Sequence, residues 1–314
     1  DYCDRGSKDK NDQIGVLVTL LSLAIEFPDN FKLLRGNHEC EKTATEQGFG
    51  GLVHAIAREY MLVTPKYEEA KQCHPLFAAA IALQGVSPEF TEVTGQLFQV
   101  FNLMPLIGSV RVTPSVLSGN GTGEILSDKD VKGHTPDIES NPLHIVFMHG
   151  GIPKNVPPLC ELNSVFQSDQ PVVCHPTGRS AERSQAQILA IELTWNDPCE
   201  GDSHHLFVPN SHRGVDAHGK KFCSIWGPGA TTNFLKQNAA DLIVRGHGHE
   251  TDVKMHGGKV LTLRSCPDYD LNKSGDPASL LRVNPDGSLT LLTFQAGHEY
   301  GEAFAEQPLA TPDT

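Results

Sequence analysis

Four short polar motifs constrain this chain more than any other feature of its 314 residues. The first is Asp1-Tyr2-Cys3-Asp4-Arg5-Gly6, and the second is Leu34-Arg35-Gly36-Asn37-His38-Glu39. The third, His149-Gly150-Gly151, follows the apolar run Leu143–Met148, and the fourth, Arg245-Gly246-His247-Gly248-His249, follows a run over 241–244. Polar groups delivered straight after apolar strands suit an open α/β sheet, whose ligand crevice lies beyond the carboxyl ends of its strands. The fold class read from this is α/β.

The intervening sequence supports that class. Residues 1–6 read as a strand end turning into a loop. Ile14, Leu17, Val18, Leu21 and Ile25 recur at helical spacing. Asn11 or Asp12 can cap that helix, and Pro28-Asp29-Asn30 stops it. A short strand is expected over 31–34, which completes a β-α-β unit. Helices are expected over 51–60, 67–83 and 92–103, and a strand over 106–112. Residues 113–142 are rich in Gly, Ser, Asp and Pro and read as an irregular loop; this stretch and 66–92 look inserted. A helix over 181–191, a polar stretch over 199–221 and a helix over 231–238 follow. The last third reads as two hairpins, 253–256 with 259–264 around Gly257-Gly258 and 280–283 with 288–294 around Pro285-Asp286-Gly287. One domain over 1–300 and a flexible tail over 301–314 are expected.

Composition removes several classes. A net charge of −13 argues against general nucleic-acid binding, which needs a basic face. No apolar run approaches the ~18 residues of a membrane span. Eight scattered cysteines without a Cys-x-x-Cys pair argue against a zinc ribbon or a disulfide scaffold. Reduced thiols and the lack of a visible leader suggest an intracellular protein, cytoplasmic or nuclear.

The motif residues suit a pair of divalent metals. A carboxylate bridges such metals, neutral His or Asn groups complete their shells, and the ions neutralise charge on a phosphoryl group. Asp1 is the candidate bridge, with Asn37, His149 and His247 as further ligands. His38, beside Asn37, can serve as an acid without binding metal, oriented by Asp4. Arg5 and Arg213 can hold phosphate oxygens. Singly, each residue is more often a turn, a cap or a surface pair. Jointly, the four motifs in this order are highly specific.

At these motifs, and at 195–198, Arg213-Gly214 and 263–269, the chain resembles the PPP family of serine/threonine protein phosphatases, within the calcineurin-like metallophosphoesterase superfamily. The resemblance implies a four-layer fold, with two mixed β-sheets face to face and helices outside. It implies two metals, manganese first, with iron or zinc as alternatives. It implies hydrolysis of phosphoserine and phosphothreonine by direct attack of a metal-activated water, on phosphoprotein substrates and with possible regulatory subunits. Carried over by motif, Asp1 bridges the metals, Asn37, His149 and His247 complete one shell, and His38 donates the proton with Asp4 behind it. Asn37 also lies against the phosphate, Arg5 and Arg213 bind it, and Tyr269 lines the pocket.

This sequence departs from the family pattern in four ways. The opening Gly-Asp-x-His-Gly motif is not present; it is expected ahead of residue 1, so the chain by itself is expected to be inactive or weakly metallated. His249 makes the last motif Gly-His-x-His and is an expected extra metal ligand. Extra polar residues between Arg213 and Trp226 loosen the registration of Arg213. Asp268 and Asp270 flank Tyr269 with more acid than is usual. Two other readings compete: a metallophosphoesterase acting on nucleotides or small phosphoesters, and an inactive fragment serving as a binding surface.

Overall fold

The computed structural model describes residues 1–3, 13–46, 52–53, 55–56, 88–113, 142–166, 172, 174–176, 183–200, 206–210, 213, 223–248, 253–267, 277–295 and 305–309. In chain order the elements are α1 (Gln13–Glu26), α2 (Glu41–Glu46), α3 (Pro88–Leu103), β1 (Ile107–Val112), β2 (Leu143–Met148), α4 (Leu159–Val165), α5 (Gln185–Trp195), β3 (Asp197–Pro198), β4 (Phe207–Pro209), β5 (Ser224–Trp226) and α6 (Pro228–Asn238). Then come β6 (Leu242–Arg245), β7 (Val253–Met255), β8 (Val260–Thr262), β9 (Ala278–Val283), β10 (Leu289–Phe294) and β11 (Ala305–Leu309).

The central sheet has the order β1-β2-β6-β8-β7. It is mixed: β2, β6 and β8 are parallel neighbours, and β1 and β7 are antiparallel edges. Side chains alternate between faces along a strand, and each face has its own core. On one face Ile145, Leu242, Val244 and Leu261 pack against Leu289, Leu291 and Leu309 of a second, antiparallel sheet ordered β11-β10-β9. On the other, Val146, Met148, Ile243 and Val260 pack against Ala190 and Leu193 of α5 and Phe234 and Leu235 of α6. Two sheets face to face with helices outside is the expected layering, although the second sheet is wholly antiparallel rather than mixed. The described residues also form a third small sheet, β3-β5-β4, and helix α4.

Local chemistry sets the boundaries. Helix α5 starts at a capping box: the Ser184 hydroxyl accepts from the Gln187 amide, and the Gln187 side chain accepts from the Ser184 amide. This moves the helix four residues beyond the expected start at 181. Helix α6 begins with Pro228 after the N-cap Gly227, since proline suits a first turn whose amide has no helical partner. Both hairpins form at the expected glycines, with φ of +68° at Gly257, +82° at Gly258 and +82° at Gly287.

Other expectations are corrected. Residues 31–36 have no regular secondary structure and join no sheet; the amide of Arg35 donates to the Pro105 carbonyl at 2.7 Å and that of Leu34 to the Tyr2 hydroxyl at 3.1 Å. Residues 1–3 likewise carry no strand. Two bonds are too few for a ladder, so the expected β-α-β unit is a loop-helix-loop among the described residues. The tail is not loose throughout: β11 pairs antiparallel with β10 because Leu309 completes the inter-sheet core. On α1 only Leu17 of the five apolar-face residues is buried, and Val18 and Ile25 are exposed. Helices expected over 67–83 and most of 51–60, and nearly all of 113–142, lie outside the described residues.

Glu192 of α5 is a buried carboxylate. Burial pushes its pKa up from 4.5 to about 7, against the opposing pull of the Lys154 amide and the Lys154 charge. A raised folded-state value means this side chain's contribution to stability is intact below pH 4.5 and is lost as pH rises to about 7, roughly 3 kcal/mol in all. Glu192→Gln should therefore melt higher than the parent at pH 8, with the gap closing at pH 4.5. Thermal melts at the two pH values check this; an equal gap at both would mean Glu192 holds one charge state throughout.

Candidate metal centre

Sheet topology brings the histidine motifs together. Strands β2 and β6 are parallel neighbours with Met148 opposite Arg245, so the motifs that follow them leave the sheet at one edge. The Gly246 amide donates to the His149 carbonyl at 3.0 Å and ties the two loops. His247 adopts a left-handed φ of +58°, uncommon for a residue with a Cβ. Its ring lies 5.1 Å from that of His149 and 5.5 Å from Trp195. Gly150 has no alternative: a Cβ there would sit 2.5 Å from the backbone of Thr194 and Trp195.

Four side chains converge at this edge. The inward-facing amide atom of Asn37 is 2.8 Å from His149 Nε2, 3.1 Å from His247 Nδ1, and 3.0 and 3.2 Å from the two carboxylate oxygens of Asp1. Asp1 Oδ1 is 3.3 Å from His149 Nε2. The ligating atoms of Asp1, His149 and His247 all lie within 4.8 Å of one another. Asp1 is held in turn by the His38 amide, which donates to Oδ1 at 3.1 Å.

This donor set fits a divalent cation. Turned one way, the Asn37 oxygen faces the Asp1 carboxylate and two imidazole nitrogens; turned the other, its amide nitrogen faces the same four atoms. Bonds of roughly 2.1 Å place neighbouring ligand atoms about 3.0 to 3.4 Å apart, and the contacts to Asn37 and between Asp1 and His149 run from 2.8 to 3.3 Å. Both histidines are held well below the usual imidazole pKa, chiefly by burial and then by positive neighbours including Arg245 and Arg213. They are therefore neutral, as metal ligands must be.

Arg213 stands behind the histidines. Its Nε donates to Asp197 Oδ2 at 3.0 Å, and Arg245 Nη2 donates to Asp197 Oδ1 at 3.0 Å. Arg245 is buried and also donates to the carbonyls of Gly150 and Asn196. Asp197 thus spaces two guanidinium groups with one carboxylate. In the sequence, 195–198 and Arg245 mark only a family resemblance; in the fold, Asp197 and Arg245 hold Arg213 and the Gly150 carbonyl in place. Asp1, Asn37, His149 and His247 come together as expected, with His38 next to them. Asp4, Arg5, His249 and Tyr269 lie outside the described residues. A cavity of about 540 Å³ between 152–156 and α6 holds none of these side chains, so chemistry rather than concavity locates the site.

The family model described as calcineurin-like phosphoesterase matches residues 1–251. The chain belongs to that family. The chain is 25% identical over 289 residues to human serine/threonine-protein phosphatase 5, covering 90% of its own length and 39% of that protein's. It is 23% identical over 286 residues to serine/threonine-protein phosphatase 7 of Arabidopsis thaliana, covering 86% and 56%. The chain therefore spans between about two fifths and just over half of these curated relatives. A solved serine/threonine phosphatase from Saccharomyces cerevisiae, described as similar to human phosphatase PP5, shares the fold with a TM-score of 0.55 at 20% identity, over 97% of this chain and 71% of that one.

Proposed function

We propose that this chain is the catalytic part of a metal-dependent protein phosphatase acting on phosphoserine and phosphothreonine. The observation that carries the reading is the convergence of the Asp1, Asn37, His149 and His247 donor atoms at one point. Names of the relatives support the substrate class. Asp1, Asn37, His149 and His247 would hold a divalent metal. The two ions of the family pattern, manganese in the first instance, supply charge neutralisation and an activated water when bound.

The chain's own residues do the rest. Arg213, restrained by Asp197, grips two phosphate oxygens with its fork of donors, assisted by Arg5. As the water oxygen bonds to phosphorus, the bond from phosphorus to the seryl or threonyl oxygen breaks. His38 gives that oxygen a proton, with Asp4 as its orienting partner. Buried, neutral His149 and His247 do not compete for that proton.

Turnover of a phosphoserine or phosphothreonine peptide by the manganese-loaded full-length protein, set against a dinucleoside polyphosphate, tests the reading. Preference for the peptide is expected. Preference for the dinucleotide would move the protein to another branch of its family, and no turnover of either would leave a binding surface as its role.

A further inference from the structure

Glu39 has no part in the chemistry above, yet it is 0% exposed and sits two residues from Asn37. Its Oε2 accepts the Gly36 amide at 2.9 Å. Its Oε1 accepts the Tyr2 amide at 2.8 Å and the Cys3 thiol at 3.4 Å. Both oxygens accept, which is the bonding of an ionised carboxylate, and all three donors are neutral. Arg35, the nearest guanidinium in sequence, spends its Nε on the Glu39 carbonyl at 2.9 Å and its other nitrogens on Val172 and Asn102. One buried negative charge therefore pins the loop carrying Asn37 to the segment carrying Asp1.

The second observation is where that charge lies. A Cβ on Gly36 would be 2.3 Å from Asp1 Oδ1 and 2.6 Å from Glu39 Oε2. The two carboxylates flank one glycine, and only a glycine leaves room for both. Like charges so close repel, and a cation at Asp1 relieves that repulsion. We infer that Glu39 is a positioning residue of the metal centre: it sets the Asp1 carboxylate against Asn37 and adds an outer negative charge that tightens divalent-cation binding. This rests on the metal-dependent reading above. Groups behind ligands are worth roughly 10- to 100-fold in metal affinity.

The test is calorimetric titration of Mn²⁺ into metal-stripped protein, with a thermal melt of each metal-free variant. Glu39→Gln removes the charge and turns an amide nitrogen towards a backbone donor. Glu39→Asp keeps the charge but shortens its reach by one methylene. The parent should bind Mn²⁺, Glu39→Gln about 10- to 100-fold more weakly, and Glu39→Asp about 10-fold more weakly. The loss in Glu39→Gln should persist in protein whose melt shows it is folded. Parent-like Mn²⁺ affinity in either folded variant would overturn the inference, whatever its melting temperature, and leave the metal-dependent reading standing. Should Glu39→Gln not fold, Glu39→Asp decides by the same criterion. A parent that takes up no Mn²⁺ would overturn both together.

Discussion

Exchanging His38 for Asn is expected to slow phosphopeptide turnover about 10²- to 10⁴-fold while bound metal stays at the parent level. The magnitude is that of losing a positioned proton donor. Asparagine is similar in reach and still donates a hydrogen bond, but it has no proton to release near neutral pH. The metal should be unaffected because the converging atoms belong to Asp1, Asn37, His149 and His247. His38 touches Asp1 through its backbone amide, which the substitution keeps, and the residue is only 1% exposed. Steady-state kinetics with metal analysis on the same preparation make the check. Loss of metal in parallel with activity would make His38 a ligand and reverse its assignment.

Gly151→Ala is expected to cost more than 3 kcal/mol, enough to lower the melting temperature by about 6 to 12 °C or to prevent folding. A Cβ there would lie 1.8 Å from Cζ3 and 2.1 Å from Cη2 of Trp226. The indole is fully buried in the core between the central sheet, α5 and α6. A chain of hydrogen bonds also prevents it from swinging away. Trp226 Nε1 donates to the Thr231 hydroxyl at 3.0 Å, that hydroxyl donates to His256 Nδ1 at 2.7 Å, and His256 Nε2 donates to the Cys199 carbonyl at 2.8 Å. Since the carbonyl can only accept, the Cys199 end of the chain takes its proton from His256 Nε2. Relief must then come from the loop that carries His149, so surviving protein should also bind metal more weakly. Pairing the change with Trp226→Leu should recover part of the melting temperature. A single variant that melts with the parent would mean the indole has room to move.

What was legible beforehand follows from which forces act locally. Apolar runs at 143–148 and 241–244 read as buried strands because parallel strands covered on both faces need continuous apolar sequence, and β2 and β6 are those strands. The hairpins were legible because a positive φ at a tight turn calls for glycine. The lone run at 31–34 misled for the same reason in reverse: apolar content looked like a strand, but pairing depends on a neighbour, and Leu34 finds a tyrosine hydroxyl there instead of a ladder. Likewise Ala305–Leu309 looked like a polar tail, and only the facing core at Leu289 and Leu291 makes a strand of it.

The sequence by itself determined the candidate donor types: a carboxylate, an amide and two histidines at motif positions in a definite order. That was enough to place the chain in its family, because a metal selects donors by chemistry and motifs keep that chemistry contiguous. Only the tertiary structure decided what surrounds those donors. Parallel pairing of β2 with β6 set His149 beside His247, Asp197 came to hold Arg213 and Arg245 together, and Glu39 came to face Asp1 across Gly36. Asp197 and Arg245 are far apart in sequence, and Glu39 is 38 positions from Asp1. Their contacts depend on long-range packing and on charges brought out of water, which no local pattern encodes.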